Sequence, residues 1–202
     1  AELLKLLGTG TDTATRIDRV KRFRRREYLG VAARDLLGET HMAGATRQLS
    51  TLADVVVHAV LGLLTEDLRV ATGRDAVPGR FTVIGMGKLG AHELNYSSDI
   101  DLVLVYDADG NTDGDRACSN HEFFERLARS FVKLLTESTE FGSAYRVDLR
   151  LRPEGQHGPL VISADSALHY YDVVGRTWER QAFIKARPVA GDLEFGRELL
   201  GQ

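Results

Sequence analysis

The chain has 202 residues, of which 43% are hydrophobic and 27% are charged, and its formal net charge is −3 at pH 7. A chain of this length and composition buries enough apolar surface for one domain or two small domains. The slightly acidic balance argues against a protein that binds nucleic acid through overall positive potential, although local basic patches stay compatible with it.

The sequence disfavours membrane insertion and secretion. The longest nearly uncharged apolar stretch, VVVHAVLGLL at residues 55–64, has about half the length of a bilayer span and contains a histidine. No Lys/Arg-led apolar leader precedes the first helical pattern, and the single cysteine, Cys118, cannot form an internal disulfide. These features predict a cytoplasmic protein. Because the chain starts at Ala1 without a methionine and stops at ELLGQ, we also expect a piece of a longer polypeptide.

The first third of the chain is predicted to be helical. Apolar residues recur at three- and four-residue intervals over residues 11–68, and no proline interrupts them. Within this stretch, Ser50 or Thr51 is expected to cap the start of a second helix. The segment ATGRDAVPGR, at residues 71–80, indicates a connector. We therefore predict a helical segment over residues 1–75.

The rest of the chain alternates between strand and helix patterns. In order, the sequence predicts a strand at residues 81–84, a brief helix at 89–94, a strand at 100–106, a helix that starts at Ser119 or Asn120, a strand in GSAYRVDLRLRP that Pro153 ends, and helical structure from Ser166 onward. The predicted organisation is an α+β core with a small mixed sheet at residues 76–165, completed by a C-terminal helical segment at 166–202.

Two motifs in FTVIGMGKLGAHELNYSSDIDLVLVYDADG compete as indicators of chemistry. Gly85, Gly87 and Gly90 have the G-x-G-x-x-G spacing of a dinucleotide-binding turn. A dinucleotide fold, however, needs a crossover helix of a dozen or more residues after that turn. Only AHELNYSS separates Gly90 from Asp99, so the dinucleotide interpretation is disfavoured.

The second motif is a pair of acids, Asp99 and Asp101, at the start of a strand pattern. Side chains alternate along a strand, so the two carboxylates point to the same face and repel each other. The apolar residues that follow indicate a strand buried on both faces, where an unpaired charge is costly. A Mg²⁺ ion with oxygen ligands would balance both acids, and ordinary ion pairing is the alternative.

A second strand pattern adds a third acid. In YRVDLRLRP, alternation places Asp148, Arg150 and Arg152 on one face. If this strand lies beside the first, three carboxylates could hold two metal ions about 4 Å apart, as in phosphoryl or nucleotidyl transfer. The arginines would then reach toward phosphate. In the alternative interpretation they only neutralise Asp148 as a surface ladder.

Further polar residues are candidates for phosphate contacts. The glycine turn at Gly87, together with Lys88, can present backbone N–H groups and a charge to a phosphate. Ser98 could bind a phosphate oxygen or cap the turn before the strand, and capping is the safer expectation. Lys185 and Arg187 would approach the phosphate or lie in solvent.

Trp178 and the histidines are not expected to take part in the chemistry. Trp178 is expected in the core rather than as a platform for a base. The scattered histidines lack the spacing of a zinc site.

Three blocks of the sequence resemble a known family. In order, they are GMGKLGAHELNYSSDIDLVLVYD, YRVDLRLRPEGQHGPLVIS and YYDVVGRTWERQAFIKARPVAGD. They are similar to the bifunctional glutamine synthetase adenylyltransferase/adenylyl-removing enzymes, which belong to the DNA polymerase β-like nucleotidyltransferase superfamily. The resemblance covers roughly residues 22–200 and implies a nucleotidyltransferase core. GMGKLG, GPLV and WERQAFIKAR favour the N-terminal, adenylyl-removing half of that family, with the adenylylating half as the alternative.

The resemblance also implies an activity. The adenylyl-removing half releases AMP from a tyrosine of glutamine synthetase by phosphorolysis, which gives ADP. By position, Asp99 and Asp101 match the metal-binding aspartates and Asp148 matches the third acid, with two Mg²⁺ ions, or Mn²⁺, as cofactors. The implied partners are adenylylated glutamine synthetase, a PII-type signalling protein, ATP or ADP, and phosphate. No nucleic acid or membrane is expected. A regulatory module without turnover is a rival from another class. The superfamily's usual Gly-Ser is replaced here by Gly87-Lys88, so phosphate contacts at this turn do not carry over.

Overall fold

The computed structural model describes residues 12–72, 77–112 and 117–201. Part of the connector predicted at residues 71–80 lies outside the described residues. The helices and strands are, in chain order, α1 (Thr13–Leu36), α2 (Met42–Thr72), β1 (Phe81–Gly85), α3 (Gly87–Gly90), β2 (Ile100–Tyr106), α4 (Asn120–Thr136), β3 (Val147–Asp148), β4 (Ile162–Ser163), α5 (Ala164–His169), a π-helical turn (Tyr170–Val174), α6 (Thr177–Ala182), a 3-10 turn (Phe183–Lys185), β5 (Arg187–Gly191) and α7 (Leu193–Leu200).

In the described part of the chain, five strands form one mixed sheet around β2. Strand β1 pairs antiparallel with β2, and β5 pairs antiparallel with the other edge of β1. The two short strands β3 and β4 pair parallel with the second edge of β2, β3 at its beginning and β4 at its end. The prediction of an α+β fold with a small mixed sheet is confirmed.

Strand β2 is buried on both faces, as its apolar run predicts. Leu102 and Leu104 belong to the large core that the sheet forms with α1, α2 and α4. Val103 and Val105 belong to a smaller core on the opposite face, together with Phe195 of α7. Because apolar side chains cover β2 on both faces, polar chemistry on this strand is confined to its N-terminal end.

The second helix begins earlier than predicted. Helix α2 starts at Met42, so the expectation that Ser50 or Thr51 caps its start is wrong. The preceding residues contain neither proline nor a strong stop signal, and the helix runs through them. Ser50 lies buried inside the helix, where its Oγ donates to the Thr46 carbonyl over 2.9 Å and accepts the Leu94 N–H over 3.1 Å. Ser50 therefore ties the helical layer to the loop that precedes β2.

Helix α2 has one property of a membrane span. Over Met42–Leu68 it is long and apolar enough to cross a bilayer by length and composition, the one such helix among the described residues. In this fold, 61% of its apolar window is buried, and it packs against α1, α4 and β5. A buried core helix of a soluble protein meets the same criteria, so the property is weak evidence for insertion.

Helix α4 starts where the sequence predicts. Ser119 is its N-cap and forms a capping box with Glu122: the Ser119 Oγ accepts the Glu122 N–H over 3.1 Å, and the Glu122 carboxylate accepts the Ser119 N–H over 3.0 Å. This reciprocal bonding satisfies two helix-terminal donors.

The C-terminal segment is not helical throughout. The predicted continuous helix is interrupted by β5, because Pro188 cannot donate the backbone hydrogen bond of a helix interior and the residues around it pair with β1 instead. Trp178 on α6 is 51% exposed, so its expected place in the core is wrong.

Substitution of the buried Lys21 on α1 tests how the helical layer is held together. Its Nζ donates to the Glu137 carbonyl, just past the C-terminus of α4, over 2.8 Å. Lys21→Met keeps most of the apolar stem but removes this bond. We expect a loss of about 1 kcal/mol in the free energy of unfolding, measured by urea denaturation at about pH 7.

The difference in stability between the wild type and this variant is expected to change with pH. Burial lowers the pKa of Lys21, against the opposing charges of Asp18 and Glu137. Below its folded-state pKa, the charged amine therefore carries a desolvation penalty that is relieved as pH rises toward the unfolded-state value. The wild type should gain stability relative to Lys21→Met as pH rises through the lowered folded-state pKa toward the ordinary lysine value of 10.5. A difference that shrinks over this range would contradict the burial argument.

Candidate active site

The strand register brings two of the predicted acids side by side. Asp101 of β2 pairs directly with Asp148 of β3, and Ile100 pairs with Val147. The Ile100 N–H donates to the Arg146 carbonyl over 3.0 Å, which fixes the start of this pairing. Adjacent residues in neighbouring strands project their side chains to the same face. The sequence could not establish that the two strands lie side by side in this register. The structure meets this condition.

The third acid, Asp99, lies one residue before β2 and completes an acidic group. Burial raises the pKa of Asp101, and the negative charges of Asp148 and Asp99 raise it further. Arg150 and Lys88 act in the opposite direction. Within the described residues, the half-buried Asp101 carboxylate has no hydrogen-bond or ion-pair partner. Asp101 is thus a carboxylate held close to two others without a direct counter-charge.

Arginines bind the two outer acids. Arg150 binds Asp148 through several hydrogen bonds. Its backbone N–H donates to Asp148 Oδ1 over 2.8 Å, and its guanidinium contacts both carboxylate oxygens. These hydrogen bonds lower the pKa of Asp148. On the other side, Arg146 Nε donates to Asp99 Oδ1, and Arg146 Nη2 donates to the Ser97 carbonyl.

Sequence reasoning missed Arg146, although a signal for it was present. Arg146 lies two residues before Asp148, so the alternation that grouped Asp148, Arg150 and Arg152 on one face also includes Arg146. The omission matters because Arg146 contacts Asp99 directly.

The predicted strand is wrong beyond Asp148. The Arg150 N–H turns back to the Asp148 carboxylate, and the chain leaves the sheet in a series of turns. Arg152 points into the following loop, where its guanidinium donates to the carbonyls of Leu149 over 2.8 Å and Pro159 over 3.0 Å. The side-chain to backbone bond at Asp148 competes with strand pairing, which alternation alone does not reveal. Arg152 consequently stabilises the loop after β3.

The glycine turn packs against the central acid. Gly87 has a φ of 51°, and a Cβ at this position would lie 2.8 Å from Asp101 Oδ2. The Met86 N–H donates to the Asp101 carbonyl over 2.9 Å, which joins the turn to β2. Only glycine accepts both the left-handed conformation and this close approach. Lys88, the next residue, is exposed.

The other predicted phosphate ligands have different surroundings. Ser98 Oγ accepts the Asn95 N–H over 3.3 Å, so it caps the turn as expected. Lys185 lies on the 3-10 turn, not on a continuous helix, and its Nζ pairs with Glu93 over 3.0 Å. Arg187 lies on β5, where its guanidinium pairs with Asp54 over 2.9 Å and donates to the Leu89 carbonyl over 3.0 Å. Of these three residues, Arg187 has a clear structural role.

The helical layer also holds the loop that leads into Asp99. Tyr28 of α1 donates to the Tyr96 carbonyl, and Tyr96 OH donates to Asp35 over 2.9 Å. The Tyr28 and Tyr96 rings meet edge to face with centroids 5.5 Å apart. Partly buried tyrosines with satisfied hydroxyls fix a loop through both packing and hydrogen bonding.

The acids do not line the large cavity of about 680 Å³ at the opposite end of β2. That cavity lies beside β4, and its lining includes Tyr106, Asp109 and His121. Asp99 is exposed at the surface. The acidic group is therefore open to solvent on the side of Asp99.

The donor set suits a hard divalent cation, but the side-chain orientations are those of an arginine-bound state. All three acids supply oxygen ligands, and the unpartnered Asp101 carboxylate is central among them, as Mg²⁺ or Mn²⁺ prefers. No group of three or more His, Cys, Asp or Glu side chains in the described ranges is arranged to hold a metal. Each outer acid is paired with an arginine instead: Arg146 contacts Asp99 Oδ1, and Arg150 contacts both carboxylate oxygens of Asp148.

Comparison with known proteins identifies the family. The family model for glutamate-ammonia ligase adenylyltransferase matches residues 1–202. The chain belongs to this family. The chain is 44% identical to the bifunctional glutamine synthetase adenylyltransferase/adenylyl-removing enzyme of Thioalkalivibrio sulfidiphilus, over 99% of this chain and 21% of that protein. It is 46% identical to the enzyme of the same name from Pseudomonas aeruginosa, over 91% of this chain and 19% of that protein.

The relatives define an enzyme family of nucleotidyltransferases, and the predicted resemblance is confirmed. A third relative with the same name, from Nitrosococcus oceani, is 44% identical over 90% of this chain. The chain spans about one fifth of the length of the curated relatives that it matches.

Proposed function

We propose that this domain is a polymerase β-like nucleotidyltransferase core that removes AMP from an adenylyl-tyrosine of glutamine synthetase by phosphorolysis. The observation that carries the proposal is the register of β2 and β3, which places Asp148 beside Asp101 at the end of the sheet where Asp99 also lies. Three convergent carboxylates with two arginines suit a reaction between anionic phosphorus groups. The names of the relatives support glutamine synthetase as the substrate.

In this proposal Asp99, Asp101 and Asp148 hold Mg²⁺, in two sites, with Mn²⁺ as a substitute. The bound ions would supply charge neutralisation for the phosphate oxygens in the transition state. The acids act as ligands, because phosphoryl transfer of this kind depends mainly on positioning and electrostatics.

The residues around the acids position the phosphates. Lys88 and Arg150 are the best supported, since their charges act on Asp101. Gly87 lets the turn approach the site closely. Ser98, Arg152 and Lys185 are weaker candidates, because each has another partner in the fold.

The proposed reaction is a direct displacement and needs no covalent enzyme intermediate. An oxygen of inorganic phosphate forms a bond to the phosphorus of the tyrosine-bound AMP, and the bond from that phosphorus to the tyrosyl oxygen breaks. The products are ADP and the free tyrosine, whose oxygen takes a proton from solvent. The exposed position of Asp99 fits a substrate that is a side chain of a large protein.

The reverse chemistry is the second candidate. The relatives are named for both adenylyl transfer and adenylyl removal, and this chain covers only a fifth of them. The adenylylating activity would use ATP to attach AMP and release pyrophosphate. In either case we propose a cytoplasmic enzyme whose regulator is a PII-type signalling protein.

One assay distinguishes the candidates. The chain is incubated with adenylylated glutamine synthetase, inorganic phosphate and Mg²⁺, and ADP is measured by chromatography. We expect ADP to appear in amounts that match the loss of protein-bound AMP. A parallel incubation with unmodified glutamine synthetase and ATP should give no protein-bound AMP. Incorporation of AMP there, without ADP formation in the first reaction, would assign the adenylylating activity; neither product would favour a regulatory module.

A further inference from the structure

Arg146 has an unusual combination of a fixed backbone and an exposed side chain. Its carbonyl accepts the Ile100 N–H at the start of the β2–β3 pairing, so the backbone is held by the sheet. Its side chain is 68% exposed and bridges Asp99 and the Ser97 carbonyl. An arginine anchored in this way can exchange partners without disturbing the fold.

The charges at the site create competition for carboxylate oxygens. Asp99, Asp101 and Asp148 repel one another, and in the described structure Arg146 and Arg150 neutralise the outer two. A divalent cation bound by Asp99 would share this carboxylate with Arg146, whose Nε already donates to Oδ1. The cation and the guanidinium therefore compete for the same negative charge, and the two positive groups repel each other.

The two arginines differ in how firmly they are bound. Arg150 is held to Asp148 by its backbone N–H as well as by its guanidinium, and the Asp148 side chain is only 13% exposed. Arg146 has no such backbone bond to Asp99, and both side chains are exposed, at 68% for Arg146 and 45% for Asp99, where ion pairs are weak. Arg146 is the arginine that a cation would displace first.

We propose that Arg146 is an exchangeable counter-charge: it holds Asp99 when no metal is present, a divalent cation displaces it, and the freed guanidinium then binds an oxygen of the phosphate substrate. This inference rests on the proposed function. It assigns Arg146 a positioning role that couples metal binding to phosphate binding, since the arriving cation both makes room for the phosphate and releases a phosphate-binding group.

The test measures metal and phosphate binding separately. Isothermal titration calorimetry with Mg²⁺ is performed on the wild-type chain, on Arg146→Gln and on Arg129→Gln. Arg129 is a matched control, because it is also an exposed arginine, at 70%, paired with one carboxylate, Glu125 of α4. We expect Arg146→Gln to bind Mg²⁺ about 3- to 10-fold more tightly than wild type, because the competing charge is gone. Arg129→Gln should match wild type.

Phosphate binding should change in the opposite direction. With Mg²⁺ saturating, inorganic phosphate should bind Arg146→Gln about 10-fold more weakly, because a charge-assisted hydrogen bond is lost. Arg146→Lys keeps the charge and should recover part of the phosphate affinity. If the Gln variant fails to fold, the Lys variant carries the test alone: it cannot make the two-nitrogen bridge to Asp99 and Ser97, so it too should bind Mg²⁺ more tightly than wild type.

The outcomes separate this inference from the proposed function. Unchanged or weaker Mg²⁺ binding in Arg146→Gln, in a chain whose wild type binds Mg²⁺ and forms ADP, would overturn the counter-charge role alone. A wild-type chain that neither binds Mg²⁺ nor forms ADP would overturn both.

Discussion

Asp101→Asn is expected to abolish ADP formation while it stabilises the metal-free domain. The substitution removes the central ligand oxygen charge, and the loss of several kcal/mol of transition-state stabilisation corresponds to a rate reduction of roughly 10³-fold. The stabilisation has a separate cause. Burial and the charges of Asp148 and Asp99 raise the pKa of Asp101, so its ionised form is unfavourable in the folded state. The penalty is present at pH values above the raised folded-state pKa, where the carboxylate is ionised, and the amide removes it.

Both effects are measurable on one preparation. ADP is quantified with adenylylated glutamine synthetase, phosphate and Mg²⁺, and Tm is measured by circular dichroism with EDTA present. We expect the rate to fall and Tm to rise, the combination typical of a functional residue held in an unfavourable environment. Asp172→Asn is the control, because Asp172 is an exposed acid on the π-helical turn. It should change neither quantity.

Either of two results would contradict this account of Asp101. ADP formation at the wild-type rate would remove Asp101 from the metal site. A fall in Tm would mean that its carboxylate contributes a stabilising contact, contrary to the absence of a partner among the described residues.

Gly90→Ala is expected to destabilise the fold by about 3 kcal/mol and to distort the turn that contains Gly87. A Cβ on Gly90 would overlap the Lys185 carbonyl oxygen and would lie 2.7 Å from the Gly85 carbonyl oxygen. Both obstacles are backbone atoms that pack α3 between β1 and the 3-10 turn, so neither can move without distorting an element. Thermal denaturation should show a fall in Tm of about 5–10 °C.

A second glycine supplies the control. Gly62 lies within α2, and a Cβ there would have no atom within 4 Å. Gly62→Ala should raise the free energy of unfolding by about 0.5–1 kcal/mol, because alanine reduces the backbone entropy of the unfolded chain. If the two variants changed Tm equally, the close packing at Gly90 would not be the cause.

Much of the secondary structure was predictable from local signals. Ser119 and Glu122 form the capping box that their spacing indicates, and β2 has the bounds of its apolar run. Such features depend on neighbours a few residues away in the chain, which a sequence displays directly. The predictions failed where distant contacts compete with local patterns. Pro188 turned a predicted helix into β5, and the Asp148 carboxylate ended β3 early.

The candidate site was also predictable only in part from the sequence. By itself, the sequence determined which groups are available: alternation along an extended chain predicted that Asp99 and Asp101 face the same side, and three sequence blocks in order indicated the family. Only the tertiary structure decided that β3 pairs parallel with β2 so that Asp148 lies beside Asp101, and that Arg146 reaches Asp99. The register depends on burial of β2 between two cores and on side-chain to backbone bonds across the loops, and these energies arise between segments far apart in the chain.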